Sequence, residues 1–320
     1  RALKATANLG AGRGAADPLA LDVAITDYAS TTTDKQGNVS ETKIASARLT
    51  STGTRGAHTI QAAARGDTFD AALAVHGGLT GNAWNGTVDS LKNSGRYAMA
   101  LAAPTPLRIA GAPGTGLAGL AKPEQIAFNG ATIKLPAGSV TVESLAKIGP
   151  RWNTRGSASG VPVSYLAQSS DAMRQNVRGD LTLGAQWAID LRAPTAPGAG
   201  AQLAGTVHVF REKGDLIAGD VSPIALGLRQ LDLRADVAGG ALRTQLALDG
   251  ARIGNARVDA TAQLLQGRVD NDSPLKLTAN ANLGSLAWVS PLLGQPGLEV
   301  DGALRLAVNG TGTVGAPTLN

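Results

Sequence analysis

The stretch Leu181-Thr182-Leu183-Gly184-Ala185-Gln186-Trp187-Ala188-Ile189-Asp190-Leu191 decides the fold. Leu181, Leu183, Ala185, Trp187, Ile189 and Leu191 occupy every second position, with Thr182, Gln186 and Asp190 between them. Successive Cβ atoms of an extended chain point to opposite sides, so this alternation gathers the apolar side chains on one face of a strand. The pattern recurs at Leu19, Leu21, Val23 and Ile25, then at Leu231, Leu233, Ala235 and Val237. Leu242, Leu246 and Leu248 repeat it, as do Val258, Ala260, Ala262 and Leu264. Leu275, Leu277, Ala279, Ala281 and Leu283 follow, and then Leu304, Leu306 and Val308. Clean alternation of this kind is the mark of antiparallel sheet with one apolar and one solvated face.

Between the runs lie residues that tolerate positive φ: Ala238-Gly239-Gly240, Asp249-Gly250, Gln266-Gly267 and Asp301-Gly302. Their spacing from Gln230 onward predicts a meander of hairpins. Residues 161–178 break the rhythm and predict a short helical interruption, a plug or cap, between β segments at 1–160 and 179–320. A second helix is expected over Ala287–Leu293, where Trp288, Val289, Leu292 and Leu293 precede Gly294 and Pro296. The Pro- and Gly-rich segments read as a long loop at Ala103–Gly119 and a hairpin tip at Ala193–Gly200. The order helix, glycine, amphipathic strand occurs twice, ending in Gly179-Asp180-Leu181-Thr182-Leu183 and in Asp301-Gly302-Ala303-Leu304-Arg305-Leu306. That is a loose internal repeat.

Composition narrows the function. Hydrophobic residues make up 43% of the 320, but aromatics only 3%, so a thick core filled with large rings is not expected. Leu, Val and Ala suit a thin layer instead. The net charge of +5 is spread over single basic residues such as Arg229, Arg234, Arg243, Arg252 and Arg257, without the clustered patch that nucleic-acid binding needs. There is no cysteine, which rules out disulfides and thiolate metal sites and suits an oxidising compartment. The longest uncharged run, Ala193–Phe210, is broken by Pro194 and Pro197 and does not read as a spanning helix. The chain begins at Arg1 without a signal peptide and reads as a segment of a larger protein whose membrane anchor lies elsewhere.

No motif carries chemistry. Gly114-Thr115-Gly116-Leu117-Ala118-Gly119 and Gly310-Thr311-Gly312-Thr313-Val314-Gly315 fit the dinucleotide spacing, but prolines crowd both and deny them the strand and helix that present amides to phosphate. His58, His76 and His208 are far apart and read as strand-surface histidines, not metal ligands. Asp270-Asn271-Asp272-Ser273 lacks the glycine and distal glutamate of a calcium loop and reads as a turn. Gly156-Ser157-Ala158-Ser159-Gly160 misplaces the serine of a nucleophile elbow. No catalytic, cofactor-binding or metal residue is assigned, and the chain is expected not to be an enzyme. Trp84, Trp152, Trp187 and Trp288 read either as core or as rings at the rim of an apolar groove.

The segment from Trp288-Val289-Ser290-Pro291-Leu292 through Asp301-Gly302-Ala303-Leu304-Arg305-Leu306-Ala307-Val308-Asn309-Gly310-Thr311 closes on Gly315-Ala316-Pro317-Thr318-Leu319-Asn320. It resembles a recurrent element of the TamB family, among the AsmA-like bridge proteins. Gly179 to Leu183 with Trp187 looks like a weaker instance, and Gly86-Thr87-Val88-Asp89-Ser90-Leu91 followed by Tyr97 to Pro104 is similar to another family unit. The resemblance implies a long sheet curled into a U-shaped hydrophobic groove, a β-taco, in a periplasmic protein tethered to the inner membrane of a Gram-negative bacterium. It implies phospholipid as cargo between the two membranes and a TamA-type outer-membrane barrel as partner of the full-length protein. The alternative it leaves is a scaffold that offers sheet edges to nascent outer-membrane proteins, including autotransporters. Leu181, Leu183, Trp187, Ile189, Leu231, Leu233, Leu246, Leu248, Leu275, Leu277, Leu304 and Leu306 are then the expected lining of the groove.

Overall fold

The computed structural model describes residues 2–9, 14–33, 39–114, 116–169, 177–196, 198–218, 224–286, 300 and 302–320. The chain is mainly β, and its strands pair antiparallel. It divides into two units, Arg1–Pro136 with Ser144–Gly149 and Ala137–Glu143 with Pro150–Asn320.

The first unit is a meander of β1 (Ala2–Leu9), β2 (Leu19–Thr33), β3 (Val39–Gly53), β4 (His58–Gly66), β5 (Asp70–Thr80) and β6 (Ala83–Asn93), each paired with the next. Beyond β6 the neighbour is a broken strand. Its parts are β7 (Met99–Leu101), paired at Lys92–Asn93, and β8 (Thr105–Ala110), paired at Ala83–Val88. Strand β9 (Gln125–Lys134) pairs with both parts, and β10 (Ser139–Ile148) follows, with the division between the units falling inside it. The expected long loop at Ala103–Gly119 is thus corrected: it contains β8 and most of a 3-10 turn, Gly116–Ala121. Pro106 is tolerated because β9 pairs with β8 only from Leu107 to Ala110, which leaves the proline side of the strand free of ladder demand.

The second unit runs through β11 (Arg151–Pro162), β13 (Thr182–Arg192), β14 (Gln202–Lys213), β17 (Leu228–Ala238), β18 (Ala241–Gly250), β19 (Gly254–Gln263), β20 (Pro274–Leu283), β21 (Leu304–Thr313) and β22 (Pro317–Leu319). Each again pairs with the next in that order. A small side sheet joins β12 (Val177–Gly179), β15 (Leu216–Ala218) and β16 (Ile224–Ala225). Gly239 and Gly240, at φ 58° and 75°, close the β17–β18 hairpin, and Gln266-Gly267 at 53° and 81° close the turn after β19. Both central residues of such two-residue turns require positive φ, which glycine adopts without a steric cost. Asp249-Gly250 instead belongs to β18, and the turn falls on the next three residues.

The helical interruption is shorter than expected. Val161 and Pro162 end β11, and one α turn, Val163–Leu166, with a 3-10 turn, Ala167–Ser169, follows before residues 170–176, which lie outside the description. The helix expected at Ala287–Leu293 also lies outside the described residues. Asp270–Ser273 is the expected turn: the Ser273 amide donates to the Asp270 carbonyl, and the Asp270 and Asp272 amides bind Ser273 Oγ and Asp270 Oδ1.

Among the described residues, buried side chains are few and mostly small. Val75, Trp84 and Val88 form one cluster in the first unit, while Leu226 and Ile253 form another in the second. Among the described residues, the bulkiest side chain that is completely enclosed is that of Ser273. Little of the apolar content is therefore spent on a filled interior.

Candidate functional site

Directly paired residues of antiparallel strands point to the same side, so the register shows which side chains share a face. In the second unit one row runs Ala185, Val209, Leu233, Leu246, Val258, Ala279, Val308. Beside it runs Trp187, Val207, Ala235, Thr244, Ala260, Leu277, Gly310. A third joins Ile189, Gly205, Val237, Leu242, Ala262, Leu275 and Gly312, and a fourth joins Leu231, Leu248, Ala256, Ala281 and Leu306. Leu283 faces Leu304. Nine of the twelve expected lining residues lie in these four rows, and Leu304, opposite Leu283, is on the same face. Leu183 joins them opposite Arg211, at the end of the Trp187 strand.

These side chains are mostly half-buried. Row neighbours cover their flanks, and Leu304 and Leu306 at the last strands remain 37% and 42% exposed. The face is sheltered sideways, and at one end Leu226 and Ile253 pack against Leu248 and Leu283. Leu181 behaves differently and corrects the expectation. At 2% exposure it is locked off the end of β13, its N–H donating to the Asp215 carbonyl and its carbonyl accepting from the Val163 amide. Asp215 builds that lock: one carboxylate oxygen accepts from the Leu216 and Leu228 amides and the other from the Gly227 amide, all at 2.8 Å.

The opposite face of the same strands is ionic. His208 meets Asp232 at 2.9 Å, Arg234 also meets Asp232 at 3.2 Å, Arg229 meets Asp249 at 2.8 Å and Gln245 donates to Asp259 at 2.9 Å. The two pairs with exposed arginines, Arg229 and Arg234, contribute about 0–1 kcal/mol each. They mark the solvated side of the sheet.

The first unit has an apolar face of the same construction, with a hollow in it. Val23, Leu49, Ala62, Leu73 and Leu91 form one row, and Ile25, Ala47, Ala64 and Ala71 the next. Together they line a cavity of about 390 Å³. Alanines where the second unit carries leucines make the hollow. None of these residues was among the expected lining. On the opposite face Arg48 makes two hydrogen bonds to Asp22, at 3.0 and 2.9 Å, and the adjacent carboxylate raises the guanidinium pKa above its ordinary value.

A larger depression of about 710 Å³ is lined by Thr52, His58, His76 and several glycines. Its histidines are engaged. His76 Nδ1 lies 2.7 Å from Asp89, the unpaired residue at a bulge in β6. His58 is not on the surface as expected but buried. The Trp84 indole N–H donates to its Nε2 at 2.8 Å, so the ring proton sits on Nδ1, facing the Thr54 carbonyl at 3.0 Å. Among the described residues no group of three His, Cys, Asp or Glu side chains is placed to hold a metal ion. Comparison with family models, curated proteins and solved structures finds no match to this chain.

Proposed function

We propose that this chain is a stretch of a periplasmic bridge-like protein of the TamB kind, and that its apolar sheet faces shield phospholipid acyl chains moving between the inner and outer membranes. The observation that carries this reading is the largely apolar register of β13 to β21 on a face that, among the described residues, is packed over at its Leu248–Leu283 end by Leu226 and Ile253 and elsewhere stays half-buried. A one-sided sheet must cover its apolar face with something. An acyl chain of a dozen methylenes gains about 10 kcal/mol from such cover, at roughly 0.8 kcal/mol per CH₂, before ordering costs. That is sufficient for carriage without any reactive group, and it suits a protein that acts by sheltering its cargo. The tether to the inner membrane and the TamA-type barrel partner belong, on this reading, to the rest of a longer protein.

Photo-crosslinking in cells tests it. A crosslinking residue at position 233 or 277, on the apolar face, should capture phospholipid, and one at Arg234 or Lys276, on the ionic face, should not. Equal capture from both faces would sink the reading. Capture of barrel proteins alone, without lipid, would transfer it to the assembly role.

A further inference from the structure

Across β13, β14 and β17 to β21 the register places one charged residue on the apolar face, Arg211, opposite Leu183 and two residues beyond Val209. Its neighbour Lys213 is turned to the other face by the register shift at Thr182. Arg229 and Arg234, on the ionic side, have carboxylates at 2.8 and 3.2 Å. The half-buried Arg211 has none among the described residues. Its Nε donates to the Gly214 carbonyl at 3.0 Å and one terminal nitrogen reaches the Arg229 carbonyl at 3.4 Å. The neighbouring acids are engaged elsewhere, Asp180 Oδ1 accepting from the Asp215 amide at 2.8 Å. Glu212 accepts from the Gly160 amide at 2.7 Å, and both Asp215 oxygens hold backbone amides.

We propose that Arg211 anchors the phosphodiester of a phospholipid whose acyl chains lie on the rows through Leu231, Leu233, Leu246 and Leu248. The inference rests on the lipid-shielding reading and adds a fixed headgroup position at one margin of the face. Guanidinium suits the task, since its fork of donors retains N–H groups for a phosphate after two carbonyls are served. A cation beside apolar rows is complementary to a molecule with an anionic head and apolar tails, and to neither part alone. Two carbonyl contacts leave the guanidinium charge uncompensated, whereas a phosphate supplies both the charge and the remaining acceptors.

The test compares binding of phosphatidylglycerol and of diacylglycerol with the same acyl chains, each presented as fluorescent monomers. The wild-type chain should prefer the phospholipid by on the order of tenfold, the worth of a charge-assisted hydrogen bond. Arg211→Met should lose the preference yet keep its affinity for diacylglycerol, and Arg211→Lys should keep most of the preference. Arg211→Gln retains a donor for the Gly214 carbonyl and guards against a folding defect, and Arg234→Met is the control on the opposite face. Equal affinities in the wild type, or a preference untouched in both neutral variants, overturn the anchor while lipid shielding stands. If neither lipid binds, the shielding reading fails and the anchor falls with it. If glycerol 3-phosphate binds as tightly as the phospholipid, Arg211 belongs to a soluble-anion site and the proposal is wrong.

Discussion

Trp84 and Trp187 make the same local arrangement and end in different surroundings. Each indole lies over glycine. A Cβ on Gly77 or Gly86 would come within 2.7 or 2.5 Å of the Trp84 ring, and one on Gly156 within 2.3 Å of the Trp187 ring. Each also gives its N–H to a neighbouring side chain, His58 at 2.8 Å and Thr154 Oγ1 at 3.1 Å. Trp84 is 6% exposed, in a cluster with Val75 and Val88 against which Phe128 and Leu120 of the 3-10 turn Gly116–Ala121 pack. Trp187 stays half-buried at the head of an open row. The difference teaches that the strand pattern makes an apolar face in both places. What turns that face into a core is a third element brought over it.

The contrast is broken most forcefully at the covered ring. Trp84→Ala should cost about 3–5 kcal/mol, the range for large aromatic truncations in a packed site, read as a lowered urea midpoint for the first unit. It also strands the buried His58 Nε2 without its donor, which adds to the loss. Trp187→Ala should cost clearly less, about half as much, since its indole is already partly in water. Equal costs would mean that Trp187 is also covered, and the distinction between core and open face would collapse.

Within the second unit the same test separates Leu181 from Leu277. Leu181→Ala should cost about 2–5 kcal/mol, as a buried leucine does. Leu277→Asp should change the unfolding midpoint little and abolish lipid capture. A sheet that unfolds with Leu277→Asp would show that its face is packed in the free protein.

How far this was legible in the sequence depends on contrast between neighbouring residues. From Leu231 to Leu283 leucine and valine alternate with Arg, Asp and Lys, so the apolar face can be read off the letters, and the pairing then sets its rows. At Ala62-Ala63-Ala64 and Ala71-Ala72 both faces carry the same side chain, the alternation is silent, and the hollow beneath Val23 and Leu73 stayed hidden. Leu181 continues the period of β13 without sharing its fate, because the Asp215 clamp that buries it comes from residues more than 30 positions away. His58 was misread for the same reason: its partner Trp84 lies 26 residues on. The strand at Thr105–Ala110 was concealed by Pro104 and Pro106, which are harmless only where a neighbouring ladder makes no demand.

The smallest expected effect lies on the ionic face. Arg234→Ala removes a contact 3.2 Å from Asp232, but Asp232 keeps His208 at 2.9 Å, and Arg234 itself is more than half exposed. Solvent and salt screen such a pair, so the loss should stay below about 1 kcal/mol and shrink further as ionic strength rises. Lipid capture should be unchanged, because the register turns Arg234 away from the rows that Leu233 and Ala235 occupy. The measurement is a urea midpoint at low and high salt beside a lipid-binding isotherm. A change in the isotherm with no change in the midpoint would mean that the two faces of the sheet are not independent. The division of labour drawn between Leu233 and Arg234, adjacent in the chain and opposite in direction, would then have to be abandoned.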